Sequence, residues 1–187
     1  MKQGIVSKRR SVHLWVVLYL VLAVLILCSG CSPQPRADLV FLNGAEPETL
    51  DPALITGQPE GRVANALFEG LLTFDQSGKP QPGMAESWTV SEDGRIYTFT
   101  LREGLTWSDG TPLTARDFVE SWRRTLDPAT ASEYAYQLHY IKNARAFNEG
   151  KSADFSQVGV SAPDEQTLRV ELENPTPFFA DLCAFVT

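Results

Sequence analysis

Between Ala85 and Pro128 the spacing of apolar and polar positions changes period. Residues 87–90 and Ile96–Leu101 are rich in Thr, Val, Tyr, Phe and Trp, a composition suited to strands. In the second run Tyr97, Phe99 and Leu101 alternate with Ile96, Thr98 and Thr100, so one face is heavy and apolar and the other lighter. Ser91-Glu92-Asp93-Gly94 separates the runs and predicts a tight turn, because an Asp-Gly step supplies the positive φ that such a turn needs. A second Asp-Gly turn is expected at 107–112. Beyond it the period lengthens. Phe118, Trp122 and Leu126 fall four apart, with Val119 beside them, as one apolar helix face. Thr114, with Asp117 three residues on, predicts the cap of that helix, and Pro128 its stop.

The same signals predict the other elements. A short strand is expected at 38–43, then a loop broken by Pro47 and Pro52. A helix is expected over 59–69, with Val63, Ala66, Leu67 and Phe68 as its apolar stripe and Gly70 as its stop. A strand at 71–74 turns at 75–78 into a connection, 79–83, that Pro80 and Pro82 break. Residues 131–148 read as helix in one or two pieces ending at Gly150, with Tyr134, Leu138 and Ile141 at helical spacing. A hairpin joins 157–161 to 167–172, and a further helix begins at 178–185. The fold class is α+β (mixed), and no internal repeat interrupts it.

The leader changes the charge picture. Residues 1–30 hold Lys2, Lys8, Arg9 and Arg10 and no acid, so the formal charge of −7 becomes 12 basic against 23 acidic residues, a net of −11, without them. An acidic surface of that size repels phosphate backbones, so no nucleic acid is expected as a partner. Residues 14–27 form an unbroken apolar run of 14, short for a membrane span and right for a signal-peptide core. Ser29 and Gly30 precede Cys31, which resembles a bacterial lipoprotein cleavage box, although Cys28 stands where Leu is usual. The expectation is a lipoprotein signal peptide at 1–30, lipidation at Cys31 and a polar tether at 31–37. A plain signal peptide or an uncleaved anchor is the alternative. Cys183 is then the only thiol of the folded part and reads as a small buried hydrophobe.

No reaction chemistry is proposed by the residues. Past the leader His139 is the only histidine, too few for a zinc site of three or four His or Cys ligands. No nucleophile elbow and no phosphate-cradling glycine motif is present. The expectation is a chain with no catalytic residues, no metal and no cofactor. The blander reading of Trp88, Trp107 and Trp122 is core packing.

Taken in order, AESW, SEDG, YTFTLR, WSDGTPLTA, DFVESWRR and LDP resemble the solute-binding proteins of peptide ABC importers, the oligopeptide-binding family. The similarity runs from about Asn43 to the last residue. The resemblance implies a periplasmic-binding-protein-like lobe fragment with β-hairpins and helices, two-lobed in the full-length protein. It implies that 38–66 is the first segment of the large ligand-binding lobe and 67–187 an accessory α+β subdomain of that lobe, truncated at its C-terminus. It implies an extended oligopeptide ligand paired main chain to main chain in the manner of an added strand. The loop 55–60 would supply part of that pairing, with Gly57 and Gln58 offering backbone groups. Tyr134, in Ser132-Glu133-Tyr134-Ala135-Tyr136-Gln137-Leu138-His139-Tyr140, matches a family tyrosine that lies beside the bound peptide. The implied partners are ABC permease subunits and, through the lipid, the outer face of the inner membrane or the cell surface. A dipeptide, a cell-wall peptide or a nickel chelate stays open as ligand. So do a surface lipoprotein with no transport role and a secreted hydrolase on the same scaffold. A further expectation is that these 187 residues alone bind peptide weakly or not at all.

Overall fold

The computed structural model describes residues 19–20 and 39–185. It divides into two units, Met1–Leu42 and Asn43–Thr187. In the first, Tyr19 and Leu20 are helical, and residues 39–42 are exposed and lack regular structure. The strand expected at 38–43 is therefore not formed over its described part. A strand needs a neighbour to take its backbone groups, and no described strand pairs with it. Cys31 and the tether lie outside the described residues, as does the leader apart from Tyr19 and Leu20.

The second unit is built on a four-stranded antiparallel sheet. Its strands are β3 (Ala85–Val90), β4 (Ile96–Leu101), β5 (Val160–Ser161) and β6 (Thr167–Glu171), ordered β3-β4-β6-β5. The β3–β4 turn closes as the sequence predicts: Gly94 has φ +69, and its N–H donates to Ser91 O at 2.8 Å. Opposite Phe99 stand Trp88 on one side and Leu168 on the other. The alternation in β4 sorts as expected, with Tyr97, Phe99 and Leu101 all buried. A separate two-stranded ribbon pairs β1 (Leu72–Phe74) with β2 (Pro80–Pro82). Here the expected proline-broken connection is a strand. Its one partner is β1, so β2 is an edge on its other side, the setting in which a missing proline N–H is tolerated.

Among the described residues four α-helices complete the unit: α1 (Gln58–Leu67), α2 (Ala115–Leu126), α3 (Ala144–Asn148) and α4 (Phe179–Cys183). Helix α2 begins on a capping box. The Asp117 carboxylate accepts from the Thr114 N–H at 2.7 Å and from its hydroxyl at 2.9 Å. Trp122 and Leu126 are buried, with Phe118 and Val119 packed partly against the same core. Phe179 of α4 meets the Tyr97 ring at 5.1 Å and the Trp122 ring at 6.5 Å, so strand and both helices share one aromatic contact. The buried Tyr97 hydroxyl donates to Thr176 O at 3.0 Å, which removes the cost of an unpaired buried polar group.

Two helix expectations change. Residues 131–148 form a 3-10 turn (Ala135–Leu138) and the short α3, separated by Asn143 in the left-handed region at φ 60. Helix α1 ends at Leu67 rather than at Gly70, with Phe68 already extended. Its buried positions are Glu60 and Ala64, whereas Leu67 and Phe68 are exposed. The stripe read from the sequence is thus not the face this helix buries among the described residues.

Candidate functional site

Residues 48–57 turn back on themselves before entering α1. Asp51 organises the bend: its Oδ1 accepts from the Ala53 N–H at 3.1 Å, and its own N–H donates to Thr49 Oγ1 at 3.1 Å. Arg124 on α2 then grips the same carboxylate with both terminal nitrogens, Nη1 reaching Oδ1 at 2.7 Å and Nη2 reaching Oδ2. The Arg124 fork holds the Asp51 carboxyl below the usual range, with partial burial opposing it and the Ala53 amide assisting. A planar guanidinium paired bidentately fixes direction as well as distance.

Gly57 is the N-cap of α1 with φ −104 and ψ 161. That is ordinary extended backbone, so its lack of a side chain answers a need for space. A Cβ there would lie 2.2 Å from Glu60 Oε2. Glu60 is only 5% exposed. Its Oε1 accepts the Glu48 N–H at 2.9 Å, and Oε2 has no hydrogen-bond partner among the described residues. The Glu48 amide, foremost, holds this carboxyl below its usual range. Gln58 is exposed, and its Oε1 accepts from Arg62 Nη2 at 3.3 Å.

Tyr134, 78 residues on, reaches this loop, its hydroxyl donating to Thr56 O at 3.4 Å. Its ring centre is 5.9 Å from that of the exposed Tyr136. The structure therefore brings Gly57, Gln58 and Tyr134 to one place, around Thr56. Cys31 lies outside the described residues. Cys183 is buried, and burial pushes its thiol well up, as fits a packing residue. His139 is half-buried with Nε2 2.9 Å from Asn148 Oδ1, and Asn148 in turn donates to Leu126 O. Among the described residues no group of three or more His, Cys, Asp or Glu is placed to hold a metal ion, and no helix is long and apolar enough to cross a membrane.

Beside the Asp51–Arg124 pair lies a cleft of about 420 Å³ lined by Ala53, Phe68, Trp107, Phe118, Trp122 and Phe179 among others. Trp107 is 43% exposed, so one of the three tryptophans expected in the core instead stands on this surface. Sequence reasoning did not find Glu60 or the Asp51–Arg124 pair. An acid in the first turn of a helix could have singled out Glu60. No single-sequence signal joins Asp51 to a residue 73 positions away.

The model of the bacterial extracellular solute-binding proteins, family 5 (middle region) matches residues 79–187. The oligopeptide-binding protein OppA of Bacillus subtilis (strain 168) is 48% identical over 186 residues, covering 92% of this chain and 34% of its own length. The probable deoxycholate-binding periplasmic protein YgiS of Escherichia coli (strain K12) is 44% identical over 155 residues, covering 82% of this chain and 29% of its own. The crystal structure of Haemophilus influenzae OppA in complex with the peptide RPPGFSPFR matches with a TM-score of 0.70 at 44% identity, over 75% of this chain and 29% of that one. The chain spans about a third or less of the length of these relatives.

Proposed function

The chain belongs to the bacterial extracellular solute-binding proteins of family 5, and from that premise we propose that it is part of the peptide-capturing component of an ABC importer. An extended oligopeptide would pair with the backbone at Thr56–Gly57–Gln58, with Tyr134 alongside, and two lobes would close around it. The observation that carries this reading is the contact between Tyr134 and Thr56 O, which unites segments 78 residues apart. Backbone pairing suits a ligand of varied sequence, because it asks nothing of the side chains. Within this reading residues 1–30 are a lipoprotein signal peptide, Cys31 carries the lipid and 31–37 are its tether. Residues 38–66 open the large lobe, and 67–187 are its accessory subdomain. The lipid would hold the protein at the outer face of the inner membrane or at the cell surface, beside its permease, and no reaction is catalysed.

The test joins this chain to the carboxy-terminal remainder of the Bacillus subtilis relative and titrates it calorimetrically with RPPGFSPFR and with trialanine. Saturable heat that Tyr134→Ala reduces is expected. A second reading, a bile-acid-like or other amphipathic solute, is favoured by the apolar cleft and by the 44% identity to the probable deoxycholate-binding protein of Escherichia coli. Saturable heat from sodium deoxycholate and none from either peptide would replace the first reading by the second.

A further inference from the structure

We infer that Glu60 is a positioning residue of the 48–57 loop, a buried carboxylate clasp that holds the start of the backbone offered to the ligand, and that Gly57 is glycine because the clasp occupies the space above it. The role toward a ligand rests on the peptide-binding reading; the clasp itself rests on geometry. Helix α1 begins without a side-chain cap, since its N-cap is Gly57. Glu60, three residues on, is where a capping-box acid would fold back on the N-cap amide. It instead reaches past the N-cap to the Glu48 N–H, 12 residues upstream, at 2.9 Å. One carboxylate thus ties the start of the loop to the helix that follows it. A hydrogen bond to an ionised acceptor is worth more than a neutral one, and here the acceptor belongs to a buried side chain while Glu48 itself is exposed.

The second oxygen explains the glycine. Glu60 Oε2 is buried without a partner among the described residues, and a Cβ on Gly57 would approach it to 2.2 Å and approach Cδ to 3.2 Å. Real Cβ atoms do not come that close, so with alanine at 57 the Glu60 carboxylate, the end of a flexible side chain, must swing from the position in which it meets Glu48. The two residues therefore act as a unit. A side chain at 57 harms the loop only while Glu60 is present. Two further ties run parallel to the clasp. Asn43 Nδ2 donates to Pro59 O at 3.1 Å, and Arg62 Nη1 donates to Asn43 O at 3.1 Å. Neither touches residues 48–57; the Asp51–Arg124 pair and the Tyr134–Thr56 bond do, but neither reaches Glu48, so none of these substitutes for Glu60 at the start of the loop.

The experiment is amide hydrogen exchange, followed by NMR, on the 187-residue chain and on Glu60→Ala, Gly57→Ala, the double variant and Glu60→Gln. Glu60→Ala is expected to speed exchange at the Glu48 amide roughly tenfold or more, with the Phe99 and Leu168 amides in the central sheet unchanged. Gly57→Ala is expected to do the same. The double variant is expected to match Glu60→Ala alone, because the clash is gone. Glu60→Gln, which keeps a carbonyl acceptor, is expected to restore protection at Glu48 and guards against an alanine variant that does not fold. An unaltered Glu48 amide in Glu60→Ala overturns the clasp, as does a Gly57→Ala effect that persists in full without Glu60. No peptide enters this measurement, so failure of the peptide titration above would sink the ligand reading and leave the clasp standing.

Discussion

Arg124 does at the level of a single residue what no neighbouring pair could: it ties the bend at Asp51 to a helix 73 positions along the chain. Both side chains remain partly in water, Arg124 50% and Asp51 28% exposed, so the attraction is screened. A double-mutant cycle of Asp51→Asn and Arg124→Gln, read by urea unfolding, should give a coupling of at most about 1 kcal/mol. The sign of its pH dependence follows from the fork. The folded carboxyl titrates below its ordinary value of 3.8, so the bridge stabilises the fold above that value and is lost as pH falls through the lower folded one. NMR titration of the Asp51 carboxyl carbon should give a midpoint under 3.8, and Arg124→Gln should raise it. Tyr134 stands in contrast. Its bond to Thr56 O is long at 3.4 Å, so Tyr134→Phe should shift stability by no more than about 0.5 kcal/mol in thermal unfolding. Any larger effect on peptide titration of the joined protein would then come from contact with ligand.

Among elements, α2 shows how local chemistry and packing agree. Its cap depends on one carboxylate oxygen that accepts twice from Thr114, and Asp117→Ala should cost about 1 kcal/mol in urea unfolding. Asp117→Asn, which keeps an acceptor, should cost less. This helix and the β3–β4 hairpin were legible in the sequence because their signals are local: an Asp-Gly turn, a period of two, a cap and a four-residue apolar spacing. Strand β2 was not, since two prolines argue against a strand unless its edge position is known, and that position is set by tertiary pairing. The 131–148 segment kept its helical apolar spacing but not its continuity, because Asn143 takes a positive φ that no pattern of hydrophobicity encodes. The stripe on α1 misled for a related reason. Amphipathic spacing names an apolar face but not what lies opposite, and the buried face is the one carrying Glu60 and Ala64. For the site, family motifs gave Gly57, Gln58 and Tyr134, whereas the clasp and the fork arise from contacts across 12 and 73 positions.

At the scale of the whole unit, its acidity and its single core bear on one another. The core cluster runs without a break from Leu71 to Cys183, drawing on the ribbon, all four strands of the sheet and helices α2 to α4. Around it, turn after turn is closed by an aspartate that accepts the backbone N–H two residues on: Asp75 from Ser77, Asp109 from Thr111, Asp154 from Ser156 and Asp164 from Gln166. Hydrogen bonds to the ionised form hold all four of these carboxyls below their ordinary value of 3.8, as do the pairings of Asp51 with Arg124 and Glu171 with Lys142 for their own groups. A depressed folded value means that the unfolded chain binds protons first as the solution is acidified. The stabilisation is complete above the unfolded values and drains away as pH drops through the folded ones. Because these turns hang on one cluster, their loss should be felt by the unit as a whole rather than one loop at a time. Residues 43–187 should therefore show a urea midpoint that is flat from about pH 7 to 5 and falls below about pH 4. Tryptophan fluorescence, which reports the core through Trp122, and far-ultraviolet circular dichroism, which reports the backbone, should give coincident curves at neutral pH. A midpoint that rises on acidification would contradict the direction of every carboxylate shift named above. Separated fluorescence and dichroism curves at neutral pH would mean that the ribbon and the sheet do not share one core.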